Sequence, residues 1–183
     1  MNTTNGKIAI ESKKKLTAAL FKVMELYNFK EITVTQIAQE AELSRKTFYR
    51  LFKDKEEILS YFYETFFLDF FSQFKSKKIN HYWDIVQFYF DFWEQKKSLL
   101  LLFKKNNLLS DLFENAYKYS INIFDFIRPK ETIEKLSPHL PYLLSYSMGG
   151  INGMLIKWVE NEMTMPSKVL IQILKESYKS ELI

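Results

Sequence analysis

The sequence predicts an all-α protein, and three observations carry that prediction. Only four glycines and four prolines interrupt 183 residues. Apolar residues recur three and four positions apart almost throughout, and no stretch sustains the alternation of a half-buried strand. Glycine and proline are the strongest local breakers, so their scarcity leaves long helices as the default. With 47% hydrophobic residues the chain can bury a sizeable core. It has no cysteine, which removes disulfides, thiolate nucleophiles and thiolate metal ligands together and fits a reducing cytoplasm.

The elements follow in chain order. Leu16, Leu20, Val23 and Tyr27 mark one apolar face, predicting a helix over 10–28. Thr33-Val-Thr-Gln36 is a capping box, in which each end of the tetrapeptide satisfies the other's backbone N–H, and it predicts a helix over 34–41. Ser44 can cap a third over 45–52. Asp54-Lys-Glu-Glu57 repeats the box and starts a long helix at 55. Two short helices joined by a three-residue turn, after a longer one, make a three-helix unit of the helix-turn-helix type. Its expected core is Leu20, Val23, Ile37, Ala38, Ala41, Leu43, Phe48 and Phe52. Residues 1–54 are therefore read as one domain and 55–183 as a second, helical one.

Charge is placed unevenly along these elements. The net charge is +4, and residues 1–60 carry eleven Lys/Arg against eight Asp/Glu, or +3, while 61–183 carry fifteen against fourteen, or +1. Arg45, Lys46, Arg50, Lys53 and Lys55 face one acid, Asp54, within eleven residues. Such a cluster is either a solvated cationic face or a surface for polyanions; the asymmetry points to an anionic partner. On a helix, Phe48 and Phe52 turn inward, while Arg45, Lys46, Thr47, Tyr49 and Arg50 face outward or sideways. Arginine can read guanine, and Lys, Ser, Thr and Tyr more often hold phosphates. The helix starts at Thr33 and Ser44 add partial positive charge suited to a phosphate.

The stretch FKEITVTQIAQEAELSRKTFYRLFKDKEEIL resembles the DNA-binding domain of TetR-family transcriptional regulators. That motif runs T-V-x-x-I-A-x-x-A-G-V-S-x-x-T-x-Y-x-x-F-x-x-K-E-x-L. Thr33, Val34, Ile37, Ala38, Ala41, Ser44, Thr47, Tyr49, Phe52, Lys55, Glu56 and the conservative Ile58 match it. The resemblance implies DNA contacts at Thr33, Ser44, Arg45, Lys46, Thr47, Tyr49 and Lys55. Two departures stand out. Glu42-Leu43 replaces the usual Gly-Val of the turn, where a non-glycine residue at positive φ costs on the order of 1 kcal/mol. Lys46 occupies a position often small in the family, so the operator sequence is this chain's own.

The remaining two-thirds is aromatic-rich. Aromatics at helical spacing either fill a core or line an apolar ligand cavity between helices. TetR-like regulators resemble the second arrangement, which implies an apolar or aromatic small-molecule effector near Phe67, Phe71, Trp83, Tyr89, Trp93, Phe103 and Tyr117. Ser145, Gly149 and Gly153 share one helical face that lets another helix approach closely. Pro166 suits the first turn of the next helix, whose stripe of Val169, Leu170, Ile173 and Leu174 is too apolar to leave in water. These stripes can pack within the chain or meet their copies as a four-helix bundle. The family resemblance implies the homodimer. The pattern G-x-x-G-x-x-x-x-W-V-E-N, from Gly150 to Asn161, followed by a proline-started helix, is similar to a C-terminal type common among Gram-positive members. These include regulators of dihydroxyacetone kinase operons.

Other classes find little support. The longest uncharged stretch, 136–156, holds two prolines, three glycines and three serines, which reads as a packed helix and not a membrane span. The N-terminus lacks the apolar core of a secretory signal, so a cytoplasmic location is expected. His81 and His139 have no metal-ligand spacing, and no nucleophile–base pair or phosphate loop appears; neither a cofactor nor an enzymatic activity is expected. The reading is a TetR-like homodimeric regulator, a ligand-responsive repressor on a palindromic double-stranded DNA operator. The alternative is a helix-turn-helix regulator or adaptor controlled by a protein partner, with no small-molecule effector.

Overall fold

The structure is a computed structural model that describes residues 3–77, 79, 81–127 and 137–179. Among the described residues it contains nine α-helices, two short 3-10 turns and no strand, as the breaker-poor sequence requires. By compactness the chain divides into two units, Met1–Phe66 and Phe67–Ile183. One helix, α4 (Lys55–Ser76), supplies residues to both.

The first unit contains α1 (Thr3–Leu26), a 3-10 turn (Phe29–Glu31), α2 (Val34–Glu40), α3 (Arg45–Leu51) and the start of α4. Helix α1 begins seven residues before the expected position 10, because the apolar stripe at 16–24 marks where the helix is buried and not where it starts. Leu16, Leu20, Met24, Ile37, Phe48 and Ile58 are fully enclosed. Of the expected core only Leu43 stays half-buried, and Tyr27 at the end of the α1 stripe is exposed. Phe21 and Phe62 meet edge to face at 4.8 Å, and the Lys13 ammonium lies over both Phe52 and Tyr61. Small Ala38 and Ala41 face this core. The core fixes α3 by its underside, so truncating Phe48 to alanine would cost roughly 3–5 kcal/mol.

The second unit contains the end of α4 with α5 (Tyr82–Gln95), α6 (Lys97–Lys105), α7 (Leu109–Ile127), α8 (Leu140–Glu160) and α9 (Ser167–Lys179). Its core is aromatic. Phe70 packs on Phe88 and Phe92 at 5.3 and 4.7 Å, and Phe74 on Phe88 at 5.5 Å. Along α5, Val86, Tyr89, Phe90 and Trp93 recur at helical spacing and are buried. The two histidines sit at helix starts: His81 precedes α5 and His139 precedes α8.

The turn between α8 and α9 is held on all sides. Glu162 and Met163 adopt left-handed φ of 57° and 47°, letting the Met163 amide reach back to Trp158 O at 2.9 Å. The Trp158 indole donates to Met165 O at 2.7 Å. Lys97 donates to Met163 O at 3.1 Å, and Lys104 donates to Val159 O, Glu160 O and the Glu162 carboxylate. Pro166 immediately precedes α9, and its carbonyl accepts from Val169 and Leu170. Buried Ser167 donates its amide to Glu94 Oε1 at 2.9 Å, and its hydroxyl lies 2.7 Å from Asp91 Oδ1 and 2.9 Å from Glu94 Oε2. Cations thus close the C-terminus of α8 and anions the N-terminus of α9, the signs favoured by the helix dipoles. Ser167→Ala removes a charge-assisted bond worth about 1.5–3 kcal/mol. The expected result is a melting temperature lower by roughly 3–12 °C, read by circular dichroism.

Near the other end of α9, the Tyr82 phenol of α5, 40% exposed, is pushed up to about 12 by its partial burial first and by the neighbouring Tyr178 phenol second. A phenol pKa raised by folding stabilises the fold while the proton stays on. That contribution is present below pH 10 and is lost as pH rises from 10 through about 12. Tyr82→Phe is expected to flatten the melting temperature against pH over that window; an unchanged profile would contradict the assignment.

Candidate nucleic-acid interface

Thr33 caps α2 as its sequence foretold: its hydroxyl accepts from the Gln36 amide at 3.3 Å, while Gln36 Oε1 accepts from the Thr33 amide at 2.8 Å. Ser44 caps α3 by accepting from the Thr47 amide at 3.0 Å, with the two hydroxyls 2.9 Å apart. Asp54 Oδ1 accepts from the Glu57 amide at 2.8 Å, but the Glu57 side chain reaches Lys53 N instead of its capping residue. The box is therefore shifted by one residue, and it ties the α3–α4 link to the first turn of α4.

The turn before α3 has the form of a Schellman cap, with Leu43 N bonded to Ala38 O at 2.9 Å and Glu42 N to Gln39 O at 3.1 Å. Glu42 takes the left-handed position with φ 55°, so this chain keeps the backbone normally given to glycine. The steric cost of about 1 kcal/mol or more exceeds the extra chain entropy of glycine, about 0.5–1 kcal/mol. Glu42→Gly is expected to stabilise the first unit slightly, by up to about 1 kcal/mol, in chemical denaturation. A lowered midpoint would contradict this account of the turn.

On α3, Phe48 is buried and stands edge-on to Tyr49 at 5.4 Å. Tyr49 is 53% exposed, and the Arg45 guanidinium lies 5.9 Å from its ring centre. Arg45, Lys46, Tyr49 and Arg50 are exposed and Thr47 is half-buried. Among the described residues, no carboxylate forms an ion pair with Arg45, Lys46, Arg50 or Lys53. The helix thus offers an uncompensated cationic face on a rigid apolar base. Lys55 behaves differently: its ammonium donates to Lys30 O and Ile32 O, both at 2.9 Å, and lies 4.9 Å from the Phe29 ring centre. Motif matching gave no hint of this. The available signal was a cation at the first position of a helix, where the dipole opposes it.

The residues expected around an effector fall within several packings. Phe67, Tyr89, Trp93 and Phe103 are buried, while Phe71, Trp83 and Tyr117 are half-buried. Tyr89 packs on Trp93 and donates to Asn152 Oδ1 at 2.6 Å. Burial pushes its phenol up. Trp83 instead meets Tyr178 edge-on, with Lys175 over its ring. The Tyr117 hydroxyl lies 3.4 Å from Ser145 Oγ on α8.

The residues expected at a dimer interface lie on α8 and α9. Ser145, Gly149, Gly153, Val169 and Ile173 are exposed, and Leu170 and Leu174 are half-buried. Apart from the adjoining residues and backbone of α8 itself, no atom of the described chain lies within 4 Å of a Cβ built on Gly149 or Gly153. Sequence reasoning missed the large residues on the same face: Tyr142 and Tyr146 are 77% and 72% exposed, and Ile156 is exposed as well. The order Tyr142, Tyr146, Gly149, Gly153, Ile156 follows the four-three spacing of a helix-pairing seam. Among the described residues no helix is long and apolar enough to cross a membrane.

The chain is similar to known proteins over both units. Residues 16–62 match the family described as bacterial regulatory proteins, tetR family, and residues 80–180 match the transcriptional regulator C-terminal region of the TetR type. It is also similar to the HTH-type dhaKLM operon transcriptional activator DhaS of Lactococcus lactis subsp. lactis (strain IL1403), with 34% identity over 65 residues. That alignment covers 36% of this chain and 35% of the relative, so the chain spans about a third of the relative's length. The capped two-helix turn, the exposed cationic α3 and matches on both sides of α4 agree: the chain belongs to the TetR family of bacterial transcriptional regulators.

Proposed function

We propose that this regulator works in the cytoplasm as a homodimeric repressor on a palindromic duplex operator and loses affinity when an apolar or aromatic effector binds its second unit. Residues 1–54 act as the DNA-binding domain, and 55–183 as the effector and dimerisation domain. The observation that carries the reading is the face of α3, where Arg45, Lys46 and Tyr49 stand exposed with no carboxylate paired to either cation among the described residues. Arg45 and Lys46 read or hold the duplex, Thr33, Ser44 and Thr47 anchor phosphates at helix starts, and Tyr49 adds a backbone contact. Support for the homodimer comes from the apolar α8 seam with its open glycines and from exposed Val169 and Ile173 on α9. Two recognition helices in successive major grooves must lie about 34–36 Å apart. A ligand that displaces α4 would alter that spacing and so couple the second unit to DNA. Selection of duplexes from a random library, followed by gel-shift titration, tests the reading; recovery of no enriched duplex would sink it.

The name of the Lactococcus relative supports a second reading, activation in place of repression. The two separate in a reporter assay with the selected operator placed at a promoter, where expression of the chain lowers output for a repressor and raises it for an activator.

A further inference from the structure

We infer that Lys55 controls DNA affinity as a positioning residue, tying the start of α4 to the backbone that carries Thr33, and does not itself neutralise a phosphate. The inference rests on the proposal that Thr33 and α3 meet DNA. An ammonium has three N–H donors, and two of those on Lys55 reach Lys30 O and Ile32 O at 2.9 Å each. The Lys30 carbonyl belongs to the 3-10 turn and the Ile32 carbonyl to the link between that turn and α2, where it shares its peptide unit with the Thr33 amide. The charge also lies over the ring of Phe29, which is itself buried. A cation at the first residue of a helix opposes the dipole there; two carbonyls and an aromatic face offset that cost and leave the charge directed inward.

The same helical turn has a second hold. The Glu57 carboxylate accepts from the Lys53 amide, which belongs to the chain leaving α3. The first turn of α4 therefore grips both ends of the helix-turn-helix: the entry to α2 through Lys55 and the exit from α3 through Glu57. A displacement of α4 is passed to Thr33 and to α3 together. Lys55 is the part of this clamp that can be removed with least disturbance, because methionine keeps its unbranched stem.

The experiment uses the full chain and a fluorescent duplex enriched by the wild-type protein from a random library. Wild type, Lys55→Met, Thr33→Ala and the double variant are titrated across a salt series. Positioning predicts that Lys55→Met binds on the order of tenfold more weakly while the slope of log affinity against log salt is unchanged, and that adding Thr33→Ala costs less than it does alone. A slope shallower by about 0.9 per protomer reports a lost phosphate contact and overturns the inference, as do unchanged affinity and strict additivity. If Lys55→Met does not fold, side-chain 15N spectra of the wild type decide. The Lys55 ammonium signal keeps its shift when duplex is added while that of Lys46 moves; a comparable Lys55 shift overturns the inference. A wild-type chain that enriches no duplex overturns the DNA reading and this inference with it, whereas a shallower slope overturns this inference alone.

Discussion

Gly153→Leu is expected to stabilise the isolated chain and weaken the proposed homodimer, two effects of opposite sign from one substitution. Within the chain, apart from the adjoining residues and backbone of α8 itself, a Cβ on Gly153 meets nothing within 4 Å, and glycine in a helix interior is about 1 kcal/mol worse than leucine. Measured below the dissociation concentration, the melting temperature should rise by roughly 2–4 °C. In a symmetric pair of α8 helices the new side chains enter the seam twice. Overpacking at about 1–3 kcal/mol each weakens the dimer by roughly 2–6 kcal/mol, or from about 30-fold to more than 10⁴-fold. Sedimentation equilibrium reads the second effect, and a leucine variant that still dimerises as wild type would remove α8 from the interface.

The second large effect is on DNA. Arg45→Ala combined with Lys46→Ala should leave folding within about 0.5 kcal/mol of wild type, because both side chains are exposed and neither is in an ion pair among the described residues. Two residues on each of two protomers, at about 1 kcal/mol or more apiece, give a loss of at least about 4 kcal/mol, nearly 1000-fold. The single variants should relax sequence preference as well, since a side chain that reads a base edge carries discrimination and one that holds a phosphate does not. A folded double variant that binds the selected duplex as tightly as wild type would take α3 off the DNA.

Helix starts in the first unit were legible because capping is local. Thr33 and Ser44 bond amides three residues away, so a tetrapeptide contains the whole interaction. The inward turn of Phe48 and Phe52 was legible for the same reason, since four-residue spacing sets the face. The conformation of Glu42 and the destination of Lys55 were not. Glu42 is left-handed because the Ala38–Leu43 bond closes the turn, and the Lys55 ammonium lands on carbonyls 25 and 23 residues earlier. In the second unit, aromatic spacing identified buried positions such as Tyr89 and Trp93 but not their partners. Asn152 and Asp91 become partners of Tyr89 and Ser167 only when distant helices meet. The glycines of α8 were readable as small residues, while the exposure of Tyr142 and Tyr146 beside them needed the fold.

The salt dependence of duplex binding by the wild-type protein, taken as the proposed dimer, tests the central claim, that α3 is a DNA-reading surface. At least one phosphate-paired cation per protomer predicts that log affinity falls linearly with log salt concentration, with a slope of about −2 or steeper. Arg45→Ala with Lys46→Ala should make that slope shallower. Affinity for duplex DNA that is absent, or that does not change with salt, would contradict the account.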